Sequence, residues 1–463
     1  MKIRIYLGIL LFFIIACDHQ LVGPLRDNPF DTENEVTSGD PFNLQTKNLS
    51  NHIRISWGYA FETPTPESYN LYRLDSFGLD TIYTGTDTTF QDNTVTWDST
   101  YSYYVTAIIK NKETSPPDLN KLTEVTRRIY VGEEMDYKTI GSALEILEDG
   151  NEVHVMDGLY TEIINFDGKK ITLICSGEKD SCVINGNGLG PVLSFTNEED
   201  NNSVIDGFII KNGSNNQGGG GVKILNSSPL IKNCIFDDNE TTFNGGAVMI
   251  RGENSQPIFR NCIFQDNFAG GSGGGIYSEI NAQPLITNCR FNNNMAEEDG
   301  GAISVFSASV LIDSSEFTEN FAITKGGALG FTELNGGEIK FSDFILNSVN
   351  SSGSGFGGAV SIIESSNINF LQCNFEYNNG IAGGAIFISN SIPEPLDDSI
   401  IFENCIYWGN YSATGGTLYS INSNFNFRNV TLMSNYSSLE LGNSIFIKNS
   451  IFSIVNSIFW QDF

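Results

Sequence analysis

The chain has 463 residues and a formal net charge of −30, from 25 Lys and Arg against 55 Asp and Glu. Recognition of a phosphate backbone needs a basic stripe that releases counterions, so nucleic acid is excluded as a partner, and so is membrane binding through a basic amphipathic helix. With 47 Gly, 33 Phe and only 3 His, the composition describes an ordered, turn-rich protein. It leaves little material for a histidine-based metal site or general base.

Lys2 and Arg4 precede an apolar run from Ile5 to Ala16 that meets Cys17. A short positive region followed by so short an apolar run reads as an export signal rather than a membrane span. Ile14-Ile15-Ala16-Cys17 resembles the bacterial lipobox. That resemblance implies cleavage of residues 1–16, lipidation of Cys17 and attachment to a membrane of the cell envelope. The expected place is the outer membrane or cell surface. From 17 to 40 the chain is polar, contains Pro24 and Pro29 and keeps no period of 2 or 3.6, as a flexible tether does.

Residues 41–128 carry short alternating runs between turn residues, the pattern of an all-β sandwich. Ile53, Ile55 and Trp57 alternate with polar residues, and Tyr101, Tyr103, Val105 and Ala107 fall on one strand face. The segment resembles a fibronectin type III domain, with Trp57 as the buried Trp and Tyr101 to Ala107 as the Y-x-Y-x-V-x-A strand. The resemblance implies a spacer or recognition module.

The remainder, 129–463, is organised by a repeat. A Gly-Gly-small-aliphatic step begins at Gly219, Gly245, Gly273, Gly300, Gly326, Gly357, Gly383 and Gly415, with a degenerate copy at Gly442, at intervals of 26 to 32 residues. Between these steps lies a second signature, as in Asn233-Cys234-Ile235-Phe236 with Asn239, repeated at Asn261, Asn288 and Asn404. A coiled β-solenoid explains both. Each coil pairs with those above and below, so equivalent residues stack about 4.8 Å apart. Glycine suits a corner needing φ > 0 or close backbone approach, and Asn tolerates the left-handed region and forms ladders. Val222/Ile224, Val248/Ile250 and Cys234/Phe236 are expected to point inward. Earlier coils start near Glu152, after a helical stretch over Tyr137–Glu148. The helix-then-strand order resembles the N-terminal cap of right-handed parallel β-helix proteins of the pectin-lyase-like group. The repeats resemble those of chlamydial polymorphic outer-membrane proteins. The fold expected is thus all-β, a fibronectin type III-like sandwich followed by a right-handed parallel β-helix. The sequence stops at Phe463 inside what reads as another repeat, so either the chain is incomplete there or the end docks on something.

Cys234, Cys262, Cys289, Cys373 and Cys405 share one coil position with Ser315, Ser342 and Val430. Such tolerance selects a small buried side chain, not a metal ligand. Cys175 and Cys182 would pair only if a tight turn brought them together, which the sequence leaves open. The resemblance to pectin-lyase-like proteins implies that enzymes of that shape use clustered carboxylates, with Ca²⁺ or as acid and base. Here Asp237, Asp238, Asp266, Glu319 and Glu376 vary freely around turn positions, and Arg251, Arg260, Arg290 and Arg428 share no coil position with paired acids. No catalytic residue, metal or cofactor is therefore expected. The outward position after the last glycine steps holds Phe387, Tyr419 and Phe446 on consecutive coils, a row suited to sugar or peptide contact. Its plain alternative is a ladder that stabilises the sheet or lies beneath a loop. The function expected is a lipid-anchored, non-catalytic surface scaffold for adhesion or for glycan or protein binding. The alternative is a carbohydrate-active β-helix enzyme, a polysaccharide lyase or hydrolase.

Overall fold

The computed structural model describes residues 42–460 apart from 50–51, 61–64, 97–98, 115–121, 127, 136, 351–354 and 393–398. The expected export signal, Cys17 and the tether lie outside the described residues. Those described fall into two units that part between Ile129 and Tyr130.

The first unit holds two small antiparallel sheets. In one, His52–Ser56 pairs with Gln45–Leu49 and Thr89–Asp92. In the other, Ser68–Asp75 lies between Gly78–Gly85 and Thr100–Ile109, which also pairs with Lys112–Glu113 and Thr123–Thr126. The alternating residues read from sequence meet in one core: Ile53, Ile55 and Trp57 pack with Leu71, Tyr101, Tyr103, Val105 and Ala107. At its edge Asp92 accepts from Arg73 Nη1, Tyr103 Oη and Thr94 Oγ1 at 3.0, 3.0 and 2.7 Å. Burial alone would raise its carboxyl, but these bonds outweigh it and hold Asp92 below the ordinary range.

The second unit is a parallel β-helix with four faces. Among the described residues the first face has thirteen strands, ending at Ile451–Val455, and the second has twelve, from Gly158–Thr161 to Ile458–Trp460. A narrow face of nine runs from Ser214–Asn215 to Tyr436–Leu441, and a third face of eleven from Ile164–Asn165 to Ile445–Lys448. One coil takes Leu230–Lys232, Ile235–Asp237, Glu240–Thr241 and Val248–Arg251 in turn. The next sets Ile258, Ile263, Phe268 and Ile276 beside Leu230, Ile235, Glu240 and Val248. The two glycine steps expected to stack do so: Gly219 N–H donates to the Gly245 carbonyl at 3.0 Å.

Both glycines of each step lie against backbone that leaves no room for a side chain, and the first also has a left-handed conformation, φ 71° at Gly245 and 67° at Gly300. A Cβ at Gly301 would clash with the Gly327 carbonyl and stand 2.5 Å from that of Phe321. Inside, Phe236, Phe264, Phe291, Phe317, Phe344, Phe375 and Tyr407 form one stack with centroids 4.4 to 4.9 Å apart. Asn239, Asn267, Asn294, Asn320, Asn347, Asn378, Asn410 and Asn435 form a buried ladder beside it. Asn239 sends Nδ2–H to Asn267 Oδ1 at 3.0 Å and to the Ile210 carbonyl at 2.9 Å, and its N–H to the same Oδ1 at 3.1 Å. Every amide group is thereby used, which is what permits its burial.

The starting helix is shorter than its sequence period suggests, Ile140–Leu144, capped by Thr139. Glu162 accepts the N–H of Ile140 and Gly141, each at 2.9 Å, satisfying its first turn. Lys169 Nζ donates to the Leu144 carbonyl in its last turn. In the outermost described coil Phe452, Ile454 and Phe459 are exposed.

Candidate functional site

The expected aromatic row exists. Phe387 and Tyr419 lie 5.6 Å apart and Tyr419 and Phe446 4.8 Å, at 20° and 19°, and Phe356 extends the row beyond Phe387 at 4.7 Å. Its position differs from an open strip. Phe387 is only 7% exposed, because the outward side chain of each coil on the third face tucks beneath the glycine corner before it. A Cβ at Gly357 would stand 3.2 Å from that of Phe387. Tyr419 and Phe446 are half-buried. Rings stacked face to face also offer a ligand their edges rather than their faces.

The exposed rings lie elsewhere. Trp408 is 40% exposed and Tyr377 46%, and they meet at 5.1 Å with a 49° tilt, which leaves ring face open to solvent. Trp408 ends a second-face strand. Tyr377 occupies the corner after it in the preceding coil, with φ 53°, a conformation uncommon for a bulky residue. The equivalent corner one coil on is Gly409, where a Cβ would stand 2.6 Å from Tyr377 Cε1. Glycine there gives the tyrosine ring room to lie over Trp408. Around the corner, Tyr411 and Tyr436 are exposed and stacked at 5.7 Å. Ile406 and Met433 are exposed beside them. Four aromatic side chains thus form a ledge on two adjoining faces. Sequence reasoning missed it because Tyr377 stands where other copies have Asn, Asp, Glu, Leu, Gly or Ser, a position that reads as a variable corner. The signal was present in Tyr377, Trp408, Tyr411 and Tyr436 clustering on three consecutive repeats.

A trough of about 850 Å³ crosses the third face near its start. Outward residues of Val222–Leu225 and Val248–Arg251 make its floor, Lys223 beside Met249 and Leu225 beside Arg251. Phe243 and Ile280 stand exposed at its walls. Arg251 Nε pairs with Glu279 at 3.2 Å.

The carboxylates weighed as catalytic candidates are tied up or set apart. Asp237 pairs with Lys211 at 3.1 Å and accepts from Gln265 at 2.8 Å. Asp266 accepts from Asn293 at 2.6 Å. Asp238, Asp266 and Glu319 hold corner conformations, φ 53°, 55° and 56°. Arg290 meets Glu316 at 3.7 Å. Among the described residues no three His, Cys, Asp or Glu side chains are grouped to hold a metal ion. The five aligned cysteines are buried free thiols; burial pushes the Cys234 thiol up to about 12. The turn left open in the sequence does close, and Cys175 and Cys182 form a disulfide, Cα atoms 5.7 Å apart.

A family model described as a right-handed β-helix region matches residues 151–322. No curated protein matches the chain. Among solved structures, a family 28 exopolygalacturonase from Yersinia enterocolitica aligns with 91% of this chain and 98% of its own, at 8% identity and a TM-score of 0.27. A pectin methylesterase from the same organism aligns with 68% and 90%, at 11% identity and a TM-score of 0.25. A pectate lyase from Pectobacterium carotovorum aligns with 89% and 90%, at 13% identity and a TM-score of 0.15. Likenesses this weak carry no argument about chemistry; the activities in those names belong to those proteins.

Proposed function

We propose that this chain is a lipid-anchored envelope protein whose β-helix displays a non-catalytic binding surface for glycan, carried on a fibronectin type III-like spacer. The observation that carries the reading is the tilted Tyr377–Trp408 pair with Tyr411 and Tyr436 beside it. An open ring face takes the apolar face of a sugar, and phenol hydroxyls at its rim pair with the sugar hydroxyls. Phe387, Tyr419 and Phe446 enter as a second, weaker contact, because their rings already stack on one another. Anchoring at Cys17 and display at the outer membrane or cell surface are supported by the lipobox resemblance, and the spacer by the buried Trp57 and the Tyr101–Ala107 strand.

The test is a glycan array probed with the full chain, followed by titration of the best ligand. Trp408→Ala/Tyr377→Ala should weaken binding at least tenfold, about 1.4 kcal/mol, and Tyr419→Ala by less. Unchanged binding by the double variant would overturn the ledge as the site. The second reading, a carbohydrate-active β-helix, draws on the trough, where Arg251 in the floor is paired with Glu279 and Glu253 lines the same space. Incubation with polygalacturonate and Ca²⁺ should yield no unsaturated product above background. Sustained release of such product would replace the non-catalytic reading with this one.

A further inference from the structure

We infer that the trough on the third face is a second binding site, selective for a sugar carrying both a carboxylate and an N-acyl group. Its two cations stand out in a chain with 25 Lys and Arg against 55 Asp and Glu. Lys223 is in register with Met249, and Arg251 lies two residues further along the same strand, so the two Cα atoms stand about 8 Å apart on the diagonal. No ion pair is made by Lys223 among the described residues. Arg251 gives Nε to Glu279, which orients the guanidinium and leaves its other nitrogens to a ligand. A carboxylate held between an ammonium and a guanidinium gains charge-assisted hydrogen bonds.

The rest of the trough is not built for a bare anion. Leu225 floors it beside the largely covered Met249, and Phe243, 56% exposed, and Ile280 stand at its walls. An acyl methyl would cover this apolar surface. Asn216, Gln217, Asn226 and Asn254 ring the opening and offer amide donors and acceptors to hydroxyls and to the N-acyl amide. The negative field of the whole chain does not forbid an anion here. At physiological salt the screening length is about 8 Å. Locally the charges balance, since Glu253 also lines the trough and Glu279 holds Arg251. A ligand carboxylate is therefore held by direct bonds to Lys223 and the remaining guanidinium nitrogens rather than by a net positive field.

This site shares no residue with the aromatic ledge, and the two are tested apart. Calorimetric titration of the full chain with N-acetylneuraminic acid should give saturable binding. N-acetylglucosamine, which lacks the carboxylate, and galacturonic acid, which lacks the acyl group, should each bind at least tenfold more weakly. Lys223→Gln should weaken N-acetylneuraminic acid at least tenfold, Lys223→Arg should restore most of it, and raising salt should weaken binding by the wild type. Trp408→Ala, which damages only the ledge, should leave it unchanged. Absence of binding at millimolar ligand, equal binding of the three sugars, or indifference to Lys223→Gln would each overturn the assignment.

Discussion

Asn294→Ala should be far more damaging than the loss of one side chain suggests. Asn294 sits fully buried inside the asparagine ladder. It sends Nδ2–H to Asn320 Oδ1 at 3.0 Å and to the Phe264 carbonyl at 2.9 Å. Its own Oδ1 accepts both Nδ2–H and N–H from Asn267, at 2.9 and 3.3 Å. Alanine therefore strips partners from two donors of Asn267 and from the Phe264 carbonyl, all walled off from water. At about 1–3 kcal/mol for each stranded buried group, the loss is about 3–5 kcal/mol once some relaxation is allowed. The neighbouring Asn293→Ala is the control. Asn293 is exposed, has φ 52° and bonds Asp266, so its replacement should cost about 1 kcal/mol, mostly backbone strain. Urea unfolding followed by circular dichroism measures both. Because each coil touches only its neighbours, a lesion in the middle of the array should also split the transition and lower the apparent m-value. If Asn294→Ala unfolds at the same urea concentration as Asn293→Ala, the ladder is not a principal source of stability and the reasoning fails.

Four further outcomes are expected from the packing described above. Gly300→Ala and Gly301→Ala should both lower the melting temperature sharply, because a Cβ at Gly300 runs into the Ile303 carbonyl and one at Gly301 into the carbonyls of Gly327 and Phe321; a small shift in either variant would mean that the corner yields to a side chain. Asp92 is held below the ordinary carboxyl range, so its contribution to the first unit is full above about pH 5 and is lost as pH falls through its folded value. Asp92→Asn should therefore flatten the acid limb of a stability-against-pH curve, and an unchanged limb would refute the assignment. The five stacked thiols should resist an aromatic disulfide reagent at pH 8 in the native protein and react on unfolding, since all five are buried out of its reach. Replacing Cys175 and Cys182 by Ser should destabilise their coil by about 2–3 kcal/mol, the loop entropy of a seven-residue separation, read as earlier loss of amide-exchange protection there.

The coiled architecture was legible because stacking imposes the same requirement at each level, and a requirement repeated many times appears as a period. The Gly-Gly step shows this best. Both glycines lack room for a Cβ and the first also has positive φ, and the pair recurs at eight successive entries to the third face, from Gly219 to Gly415. The cysteine position was equally readable. At Ser315 and Ser342 the hydroxyl accepts the N–H of the preceding coil, from Cys289 and Ser315, each at 3.2 Å, while Val430 fills the same position without a polar atom, so what the position requires is small size. The two Asn of the second signature looked alike in sequence yet do opposite things. Asn233 takes φ 55° on the exposed corner, while Asn239 lies buried in the ladder.

Exposure on the outer surface was not legible, because alternation along a strand says which way a side chain points and not what lies above it. On the third face the loop before each glycine step folds back over the next coil. Ser304 and Ser361 are buried there despite pointing outward, and a Cβ at Gly330 would stand 2.9 Å from Gly300 N. The same covering closes over Phe387. The trough lies along Lys223, Leu225 and Arg251, beside a Met249 that Gly218 and Gly219 cover, and the ledge exists where no such loop intervenes, since the corner after the second face is only two residues, as at Gly409 and Asn410. Binding surface on this solenoid is therefore set by loop length between faces. The prediction for Tyr377 follows: its ring stays available because Gly409 keeps the next corner low. Gly409→Asn, a residue that accepts the same φ, should preserve the fold while displacing the ring from Trp408, weakening glycan binding as much as Tyr377→Ala does. Wild-type affinity in Gly409→Asn, with Tyr377→Ala impaired, would show that the ring's contact with Trp408 is irrelevant to binding.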